Sequence, residues 1–228
     1  MVSWLISSFL PDRFTTGSRM FCNRVTPTGD IVAVPLRGAW TGNRGILHRG
    51  QEIVRFHASN LWITCALQYK DWRLPQWQPG HFTVLFFHDE AVSLAAGHRP
   101  CALCRREDYE AYRRSWSAGN DRPLPSAAEM NRQLHGERIV RGTHRRRWHP
   151  FAWENLPEGT FTLINNTEPV LVLAETVVPW TSSGYGRART RPTNGSVEVI
   201  TPPSTLAALR AGYRPQIDPG ATAAPPAL

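Results

Sequence analysis

Two cysteines at Cys-x-x-Cys spacing, Cys101 and Cys104, are the residues of this 228-residue chain that point most directly to chemistry. Two thiolates this close in sequence can bind one metal ion, and zinc is typical of such pairs. A thioredoxin-like redox pair and two unligated thiols are the alternatives. Because Gly97 and Pro100 break the chain just before Cys101, the sequence favours a metal-binding turn over a redox motif at the start of a helix.

A structural zinc site needs four ligands, and this turn supplies two of them. Cys65 is predicted as the third ligand because it lies at the end of a strand candidate, onto which the turn could fold back. For the fourth ligand several candidates stay open, and we include His98 in the predicted site because it is close to Cys101 in sequence. The other candidates are His57, His81 and Cys22.

Arginine dominates the charge of the chain. Its 26 basic residues exceed the 18 acidic ones, which gives a formal net charge of +8, and Lys70 is the only lysine. Compositional bias is one explanation. Arginine also suits bidentate contacts to phosphates and guanine edges, so nucleic acid is the leading partner and an anionic membrane surface the second. Apolar runs are too short to span a bilayer, and we expect a cytoplasmic protein with no obligate protein partner.

Residues 86–105 resemble the second half of the zinc-binding domain of the bacterial Ada alkyl-DNA repair family. The shared features are an aromatic pair, an alanine-rich helix and the run Arg-Pro-Cys-x-x-Cys-Arg. The resemblance implies that Cys101 and Cys104 bind zinc and that the adjacent helix and arginines pack on or near DNA. The family also has an earlier Cys-x-x-x-Cys pair that accepts a methyl group, whereas this chain has only Cys65 upstream. We therefore carry over the zinc site and not the methyl transfer.

Arginines close to the turn and in a later basic run are predicted to contact double-stranded DNA. In the run from His144 to His149, a tryptophan among arginines could stack on a base while the guanidinium groups follow the phosphates. A solvated basic loop is the alternative. The predicted DNA-binding residues are Arg44, Arg99, Arg105, Arg106, Arg145, Arg146, Arg147 and Trp148.

The candidate catalytic residues come from two segments. Asn43 and His48 belong to a glycine-flanked loop that could approach a ligand, although a plain turn between strands also explains it. His135 lies on a predicted helix, on one face with Asn131, and Glu137 is a possible general base near the end of that helix. An ion pair between Glu137 and Arg141 is the alternative.

The reaction class follows only by elimination. A two-metal nuclease needs clustered carboxylates, which the chain lacks, and a zinc deaminase needs a longer spacing than that between His88-Asp89-Glu90 and Pro100. Hydrolysis of an N-glycosidic bond asks only for a polarising group, a basic groove and rings that hold a flipped base. The sequence thus predicts a protein of DNA processing or repair, most concretely a DNA glycosylase. The alternatives are a non-enzymatic zinc-containing regulator and an enzyme for a small anionic substrate.

The elements that must position these residues form an α+β pattern, with short strands at both ends flanking a central helical part that bears the zinc turn. We predict one domain over residues 1–217, with the zinc site near 65–105, and a disordered tail at 218–228. Asp89 is predicted to cap the helix that leads to the turn. Further helices are expected at 106–116, 126–137 and 204–211, and turns at Asn165-Asn166 and Asn194-Gly195.

Overall fold

The computed structural model describes residues 21–73, 75–143 and 145–223, and it confirms a mixed α+β fold. The helices are α1 (Glu90–Ala95), α2 (Arg106–Gly119), α3 (Ala127–Arg138), α4 (Pro203–Arg210) and α5 (Gly220–Ala223). The strands are β1 (Arg24–Val25), β2 (Ile31–Val32), β3 (Trp40–Asn43), β4 (His48–Arg49), β5 (Glu52–Ile53), β6 (Ile63–Ala66), β7 (Leu85–Phe87), β8 (Arg99–Pro100), β9 (His149–Ala152), β10 (Phe161–Ile164), β11 (Glu168–Val172), β12 (Thr176–Thr181), β13 (Gly184–Tyr185), β14 (Arg189–Thr190) and β15 (Ser196–Val199).

The N-terminal part of the described chain forms a six-stranded mixed sheet in the order β2-β1-β7-β3-β6-β8. Two of its pairings are parallel, β1 with β7 and β6 with β8, and the others are antiparallel. Strands β4 and β5 form a separate hairpin. Since β8 lies at the edge of this sheet, the cysteine turn that follows it is held directly against β6.

The C-terminal part forms a second sheet in the order β13-β12-β11-β10-β15-β9, with β14 also paired to β12. The predicted turn at Asn165-Asn166 joins β10 to β11, and both asparagines have positive φ values, 50° and 59°. Since Ile164 pairs with Glu168, the loop has three residues, 165–167, and its two asparagines tolerate the left-handed conformation that they adopt. One hydrophobic cluster contains residues of both sheets and of α1, including Phe87, Ala91 and Phe161.

The helices begin where the sequence signals predict. Asp89 caps α1, and its Oδ1 accepts a hydrogen bond from the Val92 backbone N–H at 2.9 Å. Ser126 and Glu129 form a reciprocal capping box at the start of α3. Helix α2 buries Tyr109, Tyr112 and Trp116 along one face and packs against α4. None of the described helices combines the length and the hydropathy needed to cross a membrane.

The prediction of a disordered tail over residues 218–228 is wrong for residues 218–223, which are ordered in the structure. Ala221 of α5 is buried in the cluster that joins the two sheets, and the Asp218 backbone N–H donates to Asp89 Oδ2 at 3.0 Å. These contacts attach the chain end to the start of α1. Residues 224–228 of the predicted tail, and residues 1–20 of the predicted domain, lie outside the described residues.

Candidate metal centre and basic groove

Strand pairing brings the three predicted cysteine ligands together. Strands β6 and β8 run parallel, with Thr64 opposite Pro100, and the residue that follows each of these two is a cysteine, Cys65 and Cys101. The Cys101 backbone N–H donates to Thr64 O at 2.9 Å. Cys104 then lies in the turn between β8 and α2, and the sulfur atoms of all three cysteines lie within 4.8 Å of one another. This cluster could hold a metal ion.

Backbone N–H groups support the cluster as they would support bound thiolates. Leu103 N lies 3.4 Å from Cys101 Sγ, and Ala66 N lies 3.4 Å from Cys104 Sγ. Such N–H···S contacts stabilise negative charge on sulfur and orient it. The turn therefore presents sulfur atoms that are already positioned for coordination.

The acid–base behaviour of the three thiols also favours a cation. Hydrogen bonding with Cys104 and Cys65 lowers the pKa of the Cys101 thiol to about 2. Hydrogen bonding with Cys101 raises the pKa of Cys65 and that of Cys104, and repulsion from a thiolate on Cys101 acts in the same direction. A bound divalent ion removes this repulsion and allows all three sulfurs to be thiolates at once.

The donor set fits zinc. Zn–S bonds of about 2.3 Å in a tetrahedron place the sulfurs roughly 3.8 Å apart, within the observed spread of the cluster. Thiolate ligands also select soft or borderline ions over magnesium and calcium. No fourth His, Cys, Asp or Glu joins the group among residues 21–73, 75–143 and 145–223. Three ligands therefore come from the described chain.

His98 is a correction to the predicted ligand set. Its ring is fully buried between Phe87 and Trp62, and its Nε2 accepts a hydrogen bond from Arg44 Nε at 3.3 Å. Burial and the nearby guanidinium groups of Arg44 and Arg138 lower the pKa of His98, so the ring is neutral and serves the core. The other candidates do not join the cluster either. Cys22 Sγ contacts Ile31 O, His81 is exposed, and His57 contacts the ring of Trp62.

Arg99 and Arg105, predicted to contact DNA, instead fix the cysteine turn from inside. Arg99 Nε donates to Asn131 Oδ1 of α3 at 2.9 Å, and only 2% of the residue is exposed. Arg105 is 4% exposed, forms an ion pair with the buried Glu90 at 2.7 Å, and stacks on Trp40 with 3.9 Å from its Cζ to the ring centroid. Neither guanidinium is available to a phosphate, because both side chains are buried.

Arg44, which was also predicted to contact DNA, instead belongs to a buried stack around Trp62. The guanidinium groups of Arg44 and Arg138 lie on this ring at 4.1 and 3.9 Å from its centroid. Burial lowers the pKa of both arginines, and so does the charge of Arg146 nearby. Arg138 donates to Gly97 O and Arg146 donates to Ala96 O, each at 2.6 Å. These carbonyls lie at the end of α1, where a helix leaves acceptors unpaired and carries partial negative charge.

The basic run divides between the interior and the surface. Arg145 and Arg147 are exposed, as is Arg106, which forms an ion pair with Glu110. Arg146 points inward to the end of α1. Trp148 is half-buried against the main core and lies under the Arg146 guanidinium, so its ring does not stand free for stacking. His144 lies outside the described residues.

The four candidate catalytic residues do not share one site in the described chain. Asn43 lines a cavity beside the cysteines, and its Oδ1 accepts from Gly45 N. His48 is buried and bonded to Thr83 Oγ1 at 2.7 Å. His135 lines a different cavity, which adjoins the one that Glu137 lines, and burial lowers the pKa of His135. Glu137 is occupied as a cap of α4, since its Oε2 accepts from the N–H and the hydroxyl of Ser204.

A basic groove along α3 is the surface feature that sequence reasoning missed. One cavity of about 700 Å³ and another of about 490 Å³ adjoin there, because both are lined by Gly136 and Arg147. Neither Glu129 nor Glu137, the two carboxylates of the groove, forms an ion pair with a described arginine. Both carboxylates cap helices. The arginines that line the groove are Arg122, Arg132, Arg141 and Arg147, all exposed.

A sequence signal for this groove exists in part. The capping box of Ser126 and Glu129 marks α3 as a surface helix, and Arg132 follows on its polar face. What the sequence does not reveal is that Arg122 and Arg147, which are distant along the chain, line the same cavity.

Comparison of the chain with protein-family models, with curated proteins and with solved structures found no match. The resemblance of residues 86–105 to the Ada zinc-binding domain therefore stays a prediction carried by those residues.

Proposed function

We propose that this protein binds zinc and nucleic acid and acts in DNA processing. Cys65, Cys101 and Cys104 supply thiolates to the zinc, which fixes the turn between β8 and α2. The groove along α3 holds the sugar–phosphate backbone. The observation that carries the proposal is an arginine-lined groove whose carboxylates are engaged as helix caps.

The dimensions of the groove suit a nucleic-acid strand. Helix α3 has 12 residues and is therefore about 18 Å long. B-DNA presents one phosphate of each strand for about every 3.4 Å of its axis, so a duplex whose axis lies along α3 presents about five phosphates of one strand over this length. Exposed arginines that form no ion pair with a described carboxylate are free to donate bidentate hydrogen bonds to phosphate oxygens.

Binding is favoured over base excision as the activity. A glycosylase requires its polarising group and its base-binding pocket in one place. Here Asn43 and His48 lie apart from His135 and Glu137, which both line the groove, and Glu137 and His48 have internal hydrogen-bond partners. Base excision remains the alternative proposal, and it needs a catalytic group other than this set.

Fluorescence anisotropy with a labelled duplex tests the proposal. We expect the double variant Arg132→Gln/Arg147→Gln to bind more weakly and to reduce the slope of log K against log salt by about 2, since each lost phosphate contact removes about 0.9. The matched control Arg37→Gln/Arg187→Gln removes the same charge from exposed positions outside the groove and should retain the slope. Equal losses in both variants would indicate a general charge effect and refute the groove.

A second assay separates binding from excision. The protein is incubated with plain and chemically modified duplexes, which are then treated with alkali to break strands at abasic sites. We expect binding without strand breaks. Breaks that appear only with a modified duplex would establish the glycosylase alternative.

A further inference from the structure

An apolar cavity of about 150 Å³ opens directly onto the three cysteines. It lies between β3, β6 and the cysteine turn, and all three cysteines contribute to its wall. Its other walls are mostly aliphatic and aromatic, with Ile63, Leu67, Tyr69, Trp72, Phe82 and Leu103 among them.

The mouth of this cavity is an exposed apolar patch. Leu67, Trp72, Phe82 and Leu103 have between 37% and 58% of their surface exposed. They are four of the nine large apolar side chains that are exposed in the described residues. Exposed apolar side chains scattered singly need no explanation, but a cluster around a cavity marks a binding site. This patch therefore indicates a ligand with an apolar body.

The metal centre would bind the other end of such a ligand. Three thiolates leave one position of a tetrahedral ion without a ligand from the described residues. Since all three cysteines line the cavity, an ion bound to them would present its fourth position there. A ligand in the cavity can therefore coordinate the ion at one end and contact apolar walls at the other.

The residues that line the cavity also indicate which chemistry the fourth coordination position of the ion can support. No His, Asp or Glu lines the cavity among the described residues, so no general base is present to activate a zinc-bound water. A soft sulfur donor, in contrast, needs only the ion and a dry pocket. The geometry favours ligand binding over hydrolysis at this ion.

We propose that the fourth metal position binds a small hydrophobic thiol, whose apolar group occupies the cavity between Trp72 and Phe82. This inference rests on the zinc site of the proposed function and is independent of nucleic-acid binding. The thiol loses its proton to the solvent, its sulfur forms a bond to the ion, and the water that held the position leaves. A cavity of about 150 Å³ accommodates a group the size of benzene, which sets the upper size of the ligand.

Cobalt substitution provides the test, because each thiolate bound to Co²⁺ adds charge-transfer absorption. The cobalt-loaded protein is titrated with benzyl mercaptan and with 2-mercaptoethanol, two thiols of similar acidity. We expect both to increase the absorption, with half-saturation at a concentration at least tenfold lower for benzyl mercaptan. Trp72→Ala should reduce this preference several-fold. The control Val54→Ala, an exposed apolar residue outside the cavity lining, should retain it.

The remaining outcomes distinguish the thiol site from the zinc site and from the DNA-binding groove. Equal half-saturation for the two thiols, or cobalt-loaded protein whose spectrum does not respond to either, refutes the thiol site and leaves the zinc proposal standing. Protein that binds no cobalt or zinc refutes both. Thiol binding that persists in a variant unable to bind DNA confirms that the two sites are independent.

Discussion

Replacement of Glu137 by alanine tests whether this residue is structural, because the sequence predicts a general base and the structure shows a cap. The Oε2 of Glu137 accepts from Ser204 N at 3.1 Å and from Ser204 Oγ at 2.7 Å. Pro202, the residue at the N-cap position of α4, makes no side-chain hydrogen bond to the helix. The carboxylate from α3 therefore caps α4 and joins the two helices.

The magnitude follows from these contacts. A hydrogen bond to a charged group contributes about 1.5–3 kcal/mol, and a carboxylate at a helix N-terminus adds about 0.3–1 kcal/mol. Because Glu137 is half-exposed, we expect the lower part of this range, about 2 kcal/mol for Glu137→Ala. Glu137→Gln keeps an acceptor oxygen and loses the charge, so it should cost about 1 kcal/mol.

Urea and thermal unfolding measure the effect. For a chain of this length, 1 kcal/mol shifts Tm by about 2–4 °C, so Glu137→Ala should lower Tm by about 4–8 °C. Ser204→Ala completes a double-mutant cycle, in which we expect a coupling energy of about 1 kcal/mol. DNA affinity should stay equal or rise, because a negative charge leaves the groove. Wild-type stability together with loss of a base-excising activity would refute the capping role and restore the general base.

The remaining predictions concern the metal, a buried histidine and two glycines. Cys65→Ser should abolish stoichiometric zinc in metal analysis, whereas Cys22→Ser, whose sulfur contacts Ile31 O, should retain it; the reverse result would contradict the cluster. Burial lowers the pKa of His98 in the folded state, so the unfolded chain binds its proton more readily and stability falls as the pH drops below about 6.5, by about 1 kcal/mol at pH 5.5. His98→Phe should remove this part of the pH dependence in denaturant titrations, and an unchanged profile would show that another group causes it. Gly97→Ala places a methyl group 2.5 Å from Arg138 Cδ at φ +87°, so calorimetry should show a loss of at least about 2 kcal/mol. Gly136→Ala, with open space at its Cβ, should stabilise α3 by about 0.5–1 kcal/mol, and a loss there would indicate crowding that the structure does not show.

Local signals allowed much of the fold to be predicted. Asp89, Ser126 and the Asn165-Asn166 turn act on the backbone within three or four residues, so their effect is legible in the sequence. The cysteine cluster could also be predicted, since Cys101 and Cys104 are three residues apart and Cys65 lies near the end of a predicted strand. The chain end was predicted wrongly for residues 218–223 because an Ala- and Pro-rich composition says nothing about a distant partner such as Asp89.

Arginine exposure is where sequence reasoning failed. Arg44, Arg99 and Arg105 look like surface cations, but in the structure they are buried, and each donates to an internal acceptor. A guanidinium has five donors and a flat face, so it can be satisfied inside a protein as well as on a phosphate. Its sequence context does not distinguish the two environments.

The sequence by itself determined the three cysteines of the candidate metal cluster, the helix caps and the excess of positive charge. The tertiary structure decided that His98 belongs to the core, which arginines stay outside, and that an apolar cavity opens on the metal site. The physical reason is distance along the chain. Spacing and capping are local properties, whereas the parallel register of β6 and β8 and the walls of the cavity depend on segments that meet only after the sheet has formed.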